Sequence, residues 1–236
     1  MEGSLKIAYT EITATSQLYQ KRKVIGMSKT NMVITIGRQY GSGGRQIGQE
    51  IAQYFGIKCY DKEILEHAAN DSGICQDVFE NHDEKPVNSF LYSLVMDTYS
   101  FGYANNAIST PMPMNHKVFL AQFEAIRKLA GQGPCVMVGR CADYALAENK
   151  NCFSVFIHAD MDSRIDRIVN KYQKRPSEAK DMILKADKNR ANYYNYYTNK
   201  KWGEASGYNL CIDSGKFGID GSVKAIVHAI EMFESR

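Results

Sequence analysis

The chain has 236 residues, 44% hydrophobic and 23% charged, with a formal net charge of +3. That suits one large domain, or one domain with a mobile subdomain, around an ordinary soluble core, and so small a charge excludes a general nucleic-acid coat. No run approaches the ~20 apolar residues that a bilayer-spanning helix needs, and six cysteines without a C-x-x-C pair exclude a paired-ligand zinc site.

The cysteines (Cys59, Cys75, Cys135, Cys141, Cys152 and Cys211) read as reduced thiols buried as small hydrophobes in a cytoplasmic protein. Residues 1–31 are polar and lack the apolar segment of a secretory signal. They read as a flexible N-terminal extension, with Met27 or Met32 as alternative starts. The first strong strand signal is MVITIG (32–37), a β-branched run ended by glycine. A helix follows, with Ile47, Ile51 and Phe55 at i, i+4 spacing and Gly56 as its C-cap. IKCYD is a second strand ending on Asp61. From Lys62 to about Gly131 the pattern is helical, interrupted at NHDEKPVN (81–88) and STPMPMNH (109–116). Three later strands, PCVMVG (134–139), CFSVFIHA (152–159) and NLCID (209–213), are continuous apolar runs, as strands covered on both faces should be. Helices are expected at 117–130, 162–173, 177–197 and 222–234, the last with Val223, Ile226, Val227, Ile230 and Phe233 on one stripe. Strands alternating with helices predict a three-layer α/β/α fold with a parallel sheet, its ligand lying beyond the C-terminal strand ends.

Gly37, Gly41, Gly43 and Gly44 crowd the turn between the first strand and its helix. Glycine lets backbone N–H groups approach a phosphate, and a helix N-terminus adds free donors and a positive dipole end. Two templates compete here. The dinucleotide fingerprint fits Gly41 and Gly43, with Asp61 about 20 residues on where a ribose-binding acid belongs, but puts Gln46 at the third glycine. The phosphate loop G-x-x-x-x-G-K-[ST] fits Gly37 and Gly43 with one extra residue, leaving Gly44 in the lysine place and Arg45 in the hydroxyl place. Sliding by one puts Arg45 in the lysine place and Gln46 in the hydroxyl place. Arginine supplies positive charge and a bidentate fork, whereas Gln46 is a poor magnesium ligand.

Other residues carry two readings each. Arg140, in GRCADY at a strand's C-terminal end, is a candidate phosphate clamp or a surface ion pair. Asp61 is an N-cap for KEILEHAA, a functional acid, or both. Arg164 and Arg167 share a face of helix 162–173, and Asp187 and Arg190 do so on helix 177–197, which Ser177 is expected to cap. Taken singly, such faces are solvated. In YYNYYT, Tyr193 and Tyr197 have the spacing of packed core tyrosines; with Trp202 they offer base stacking as the alternative.

Together, ITIGRQYGSGGRQIG, CYDKEIL, VMVGRCADY and DKNRANYYNYYT with the following Trp202 and YNLCIDS resemble the cytidylate kinase-like family, from about Met32 to the C-terminus. The resemblance implies a P-loop kinase fold with a parallel five-stranded core, an acceptor-binding helical insertion at 62–131 and an arginine-bearing lid at 172–203. Gly41, Ser42, Gly43, Gly44, Arg45 and Gln46 match the phosphate loop GSGKGT, with Gly44 in place of its lysine and Gln46 in place of its threonine. Gly139 and Arg140 match a GRD segment that contacts the monophosphate, its acid displaced to Asp143. Asp187 and Arg190 match the D-x-x-R signature of the lid, which also carries Arg175, Lys185 and Lys188.

The expected activity is ATP-dependent phosphoryl transfer, with Mg²⁺, to a nucleoside monophosphate or similar small phosphorylated acceptor. The catalytic set is Arg45, Arg164, Arg167, Asp187 and Arg190. Gly37 and Gly41 to Gln46 hold the donor phosphates, and Asp61, Arg140 and Asp143 hold the acceptor; no residue is assigned as a metal ligand. Positive charge and in-line positioning do most of such chemistry. The rival reading is a nucleotide-binding regulatory module that has lost its lysine, and an NAD-dependent oxidoreductase is disfavoured by Gln46. Neither nucleic acid nor membrane is an expected partner. The apolar stretch SFLYSLVMDTYSFGY (89–103) serves as core or as the interface of a homo-oligomer.

Overall fold

The computed structural model of the chain describes residues 29–82, 84 and 113–235. Nearly all of the expected N-terminal extension, parts of both polar interruptions and the whole of 89–103 lie outside the described residues.

Five strands form where the apolar runs predict them: β1 (Val33–Arg38), β2 (Lys58–Tyr60), β3 (Cys135–Val138), β4 (Cys152–His158) and β5 (Leu210–Asp213). All pairings are parallel, in the order β2–β3–β1–β4–β5. Between them run α1 (Gly44–Phe55), α2 (Glu63–Ser72), α3 (Gln76–His82), α4 (Met114–Gly131), the single turn α5 (Ala142–Ala145), α6 (Met161–Tyr172), α7 (Pro176–Thr198) and α8 (Ser214–Glu234).

Strand side chains alternate between faces, and both faces are covered. Ile34, Ile36, Val136, Val138, Val155 and Ile157 pack with Ile47, Ile51 and Phe55 of α1 and with Val223, Ile226 and Ile230 of α8. Val33, Cys135 and Met137 face the other way, against Ile64 of α2 and Ile126 and Leu129 of α4. Covering on both sides explains the uninterrupted hydrophobicity of the runs. Each such aliphatic side chain taken out of water contributes about 1.5–3 kcal/mol, and Ile34, Ile47 and Ile226 are fully buried.

Several boundaries differ from expectation for local reasons. Gly56 caps α1 in the left-handed region, as predicted. α7 begins at Pro176 with Arg175 as its N-cap residue and no side-chain cap bond, so Ser177 lies inside the first turn; proline suits that position because its missing N–H would have had no partner. α8 starts eight residues early. Asp213 accepts from the Gly215 and Lys216 amides, and the helix breaks at Gly218 (φ 66°, ψ 179°) before the predicted stripe begins. Burial pushes the Cys135 thiol up to about 12 and that of Cys59 up to about 11, which keeps both protonated; Cys75 is exposed, against expectation.

Candidate functional site

In sequence, the chain leaves the central strand β1 for β2 and β3 on one side and then crosses to β4 and β5 on the other. A crevice opens where such an order reverses, beyond the C-terminal ends of the strands. Here it is a cleft of about 910 Å³, lined by the loop after β1, the end of β3, one face of α6, Arg190 of α7 and the start of α8.

The loop supplies backbone. Gly41 (φ 79°) and Gly43 (φ 81°) adopt the left-handed region, which costs glycine nothing. Together they turn the chain so that α1 starts at Gly44 and presents its first-turn amides, which have no intrahelical acceptor. Ser42 is fully buried, and its hydroxyl donates to the Gln39 carbonyl (2.9 Å) while its own carbonyl accepts from Ser214 Oγ (2.5 Å). The loop is thus tied to the start of α8 from behind.

The opposite wall supplies guanidinium groups. Arg167 Nη1 donates to the Gly41 carbonyl (2.9 Å). Arg164, only 6% exposed, donates to Asp187, whose other oxygen accepts from the Tyr40 amide (2.7 Å). Arg140, 4% exposed, and Arg45 share Asp61, one on each oxygen (3.0 and 2.9 Å). Glu84 accepts from Arg38 Nη1 (2.6 Å), Arg190 Nε (2.9 Å) and the Arg140 amide (3.2 Å). Burial by itself would raise the Glu84 pKa, but the charges of Arg38, Arg190 and Arg140 outweigh it and hold this carboxyl far below the usual range. Arg190 also donates to the Arg38 carbonyl (3.2 Å) and lies 5.7 Å from the centre of the Tyr40 ring. Burial lowers the pKa of Arg190 and of Arg167.

At the end of β3, Gly139, Arg140 and Cys141 all have positive φ (79°, 53° and 55°). For the two non-glycine residues that is an uncommon conformation, held by the contacts around it. It points the Arg140 amide at Glu84 and the Arg140 side chain at Asp61.

The predicted residues fall into two groups. Gly41, Gly43, Gly44, Arg45, Gln46, Asp61, Arg140, Arg167 and Arg190 line the cleft, with Arg164 and Asp187 directly behind Tyr40. Gly37 and Asp143 lie away from the cleft, and two of the lining residues, Arg45 and Asp61, make contacts other than those expected. Gly37 faces Phe156, where a Cβ would come within 2.8 Å of the ring, rather than the cleft. Asp143 accepts from the Tyr194 hydroxyl (2.6 Å), and burial raises its pKa; it borders a small cavity of about 20 Å³, room for about one water, which shares Arg38, Glu84, Arg140 and Arg190 with the open cleft. Arg45, expected over the loop, turns its Nε to Asp61. Asp61 does not cap α2, whose N-cap residue is Lys62 with no side-chain cap bond. Lys185 and Lys188 are exposed, and Arg175 pairs with its neighbour Glu178. The tyrosines pack: Tyr193 and Tyr194 are buried, and Tyr197 stacks on Phe119 at 4.0 Å between centroids.

Arg38 and Glu84 were missed by sequence reasoning. Arg38 had a signal, a charged residue closing an apolar strand. Glu84 had none, because its partners are 46 and 106 residues away.

A family model described as the cytidylate kinase-like family matches residues 33–216. The crystal structure of an uncharacterized protein from Eubacterium ventriosum is similar with a TM-score of 0.64 and 28% identity, covering 85% of this chain and 98% of that one. Shikimate kinase from Bacteroides thetaiotaomicron (TM-score 0.47, 14% identity, 85% of this chain and 98% of that one) is a more distant likeness. A gluconokinase from Sinorhizobium meliloti stands at a similar distance (0.47, 13%, 87% and 94%). No curated protein matches the sequence.

Proposed function

Since this chain belongs to the cytidylate kinase-like family, we propose that it is a phosphotransferase that moves the γ-phosphoryl group of ATP to a small phosphorylated acceptor, a nucleoside monophosphate being the first candidate. The observation that carries this reading is the cleft itself: a glycine loop at a helix N-terminus lines one space of about 910 Å³ together with the side chains of Arg38, Arg45, Arg140, Arg167 and Arg190. Phosphoryl transfer asks mainly for positioning and for positive charge around the moving group, and these residues offer both.

In this reading the amides of Gly43 to Gln46 hold the donor phosphates. Arg167 and Arg190, approaching from α6 and α7, neutralise charge at the transferred group, and Asp187 positions Arg164 and the Tyr40 amide behind the loop. Arg140 and Asp61 belong to the acceptor side. The segment 172–203 acts as a lid that excludes water, so that ATP is not hydrolysed instead. Kinases of this type typically use Mg²⁺, but the described side chains do not fit a protein-held ion. Gln46 donates to Glu50 (3.0 Å), Asp61 and Glu84 are already paired with arginines, and no group of three acidic, histidine or cysteine side chains converges among the described residues. Magnesium would enter on the nucleotide's own phosphates. Among the described residues no helix is long and apolar enough to cross a membrane.

A second reading, a nucleotide-binding module without transfer, is favoured by one observation: Asp61 and Glu84 already pair with four of the arginines. Incubation with ATP, Mg²⁺ and a pool of nucleoside monophosphates, resolved by chromatography beside a control without acceptor, separates the two. A new diphosphate supports the kinase and names its acceptor. Thermal stabilisation by ATP without product supports the module; neither product nor stabilisation rejects both.

A further inference from the structure

The phosphate-loop template conceals an exchange of residues in this chain. In G-x-x-x-x-G-K the first glycine lies five places before the second, and the lysine follows the second. With Gly43 as the second glycine, Arg38 stands in the first-glycine place and Gly44 in the lysine place. The fold sets these two positions against each other: a Cβ on Gly44 would lie 2.6 Å from Arg38 Cβ and 3.1 Å from its Cγ. Both are atoms near the backbone with little freedom to give way. An arginine at 38 therefore excludes a lysine at 44, and the glycine at 44 makes room for the arginine.

The Arg38 side chain is 12% exposed and ends against Gly139, at the turn after β3. There it gives two N–H groups to Glu84 (2.6 and 3.4 Å). Arg190 Nε and the Arg140 amide reach the same carboxylate at 2.9 and 3.2 Å. Four donors from three parts of the fold thus converge on one oxyanion, on the wall of the cleft that the glycine loop also lines. Planar guanidinium forks fit phosphate as they fit carboxylate. Arg45, by contrast, is 55% exposed and its Nε is committed to Asp61.

We propose that Arg38, rather than Arg45, supplies the cation that lysine supplies in ordinary phosphate loops, and that the seat it forms with Arg190 and the Arg140 amide takes a phosphoryl group of the bound substrates in place of Glu84. This rests on the phosphotransferase reading and adds to it the identity of the missing cation.

The test measures ATP and ADP affinity by calorimetry, with Mg²⁺, alongside thermal unfolding, for wild type, Arg38→Ala, Arg38→Lys, Arg45→Ala, Gly44→Lys and the double variant R38G/G44K. Losing a charge-assisted contact to phosphate weakens binding about tenfold to a hundredfold. Arg38→Ala should lose that much for ATP and less for ADP, and Arg38→Lys should regain part of it. Gly44→Lys alone should unfold at a lower temperature. Adding Arg38→Gly should restore both its stability and ATP binding, since the pair then reads as the ordinary template. The proposal is overturned if Arg38→Ala binds ATP as wild type does, if it loses ATP and ADP equally, or if Arg45→Ala loses more. Should Arg38→Ala not fold, the double variant carries the test: ATP binding supports the exchange. A folded double variant without ATP binding, or one no more stable than Gly44→Lys, overturns it. Wild type that binds neither nucleotide rejects the phosphotransferase reading, and this inference with it; ATP binding by wild type with no effect at Arg38 rejects this inference alone.

Discussion

The two walls of the cleft hold their shape by different means. On the loop side the polar groups are backbone amides, placed by two left-handed glycines and the start of α1. On the other side they are long guanidinium side chains, held by Asp61, Glu84 and Asp187. A backbone donor is positioned by the chain itself and needs no partner. An arginine has side-chain entropy to lose, and several of them crowded together repel unless acids lie between them. The acids thus organise the arginine wall, and in the proposed function they are also what a substrate anion displaces.

The largest expected effect therefore lies on the arginine wall. Glu84→Gln leaves Arg38 and Arg190 facing each other without a counter-charge and should cost about 3 kcal/mol of stability at pH 7, read by urea unfolding. The sign with pH follows from the depressed carboxyl: its contribution is present above its ordinary value of 4.5 and is lost as pH falls below it. The gap between wild type and variant should narrow in acid; a gap unchanged at pH 3 would sink this account of the wall. Next comes the loop, where Gly43→Ala forces a side chain into φ 81° with a Cβ 2.8 Å from Arg167 Nη1. It should cost about 1–3 kcal/mol and abolish thermal stabilisation by ATP; full ATP binding would show that the amides do not depend on this turn. Asp187→Asn keeps an acceptor for the Tyr40 amide but removes the charge facing Arg164. A loss of about 1–3 kcal/mol is expected, with ATP affinity falling less than in Gly43→Ala. The smallest effect should come from an ion pair outside the cleft. Arg175 is 79% exposed, and Glu178→Ala should shift stability by about 0.5 kcal/mol or less. A shift as large as that of Glu84→Gln would erase the distinction between organised and solvated arginines.

Much of the scaffold could be read from the chain in order. All five strands lie within the predicted runs or one residue beyond them, because a strand covered on both faces must be apolar along its whole length. Gly56 and the stripe on α8 were legible for similar local reasons. The site was legible in part. Gly41, Gly43 and Gly44 mark the tight turn into α1, and the spacing of Arg164 with Arg167 put both on the face that meets it. Spacing could not show which partner each charge would choose, since partner choice depends on residues distant in sequence. Arg45 turned to Asp61. Asp143, matched by its place in the chain, turned to Tyr194.

The sequence by itself determined the order and type of the elements and the position of the glycine turn, because backbone preference and burial period act over a few residues. Only the tertiary structure decided which arginines face the cleft, that Arg38 lies against Gly44, and that Glu84 gathers donors from β1, α7 and the turn after β3. Those facts are set by strand order and helix packing, and Coulomb attraction acts on the distances that result, however far apart the residues lie along the chain.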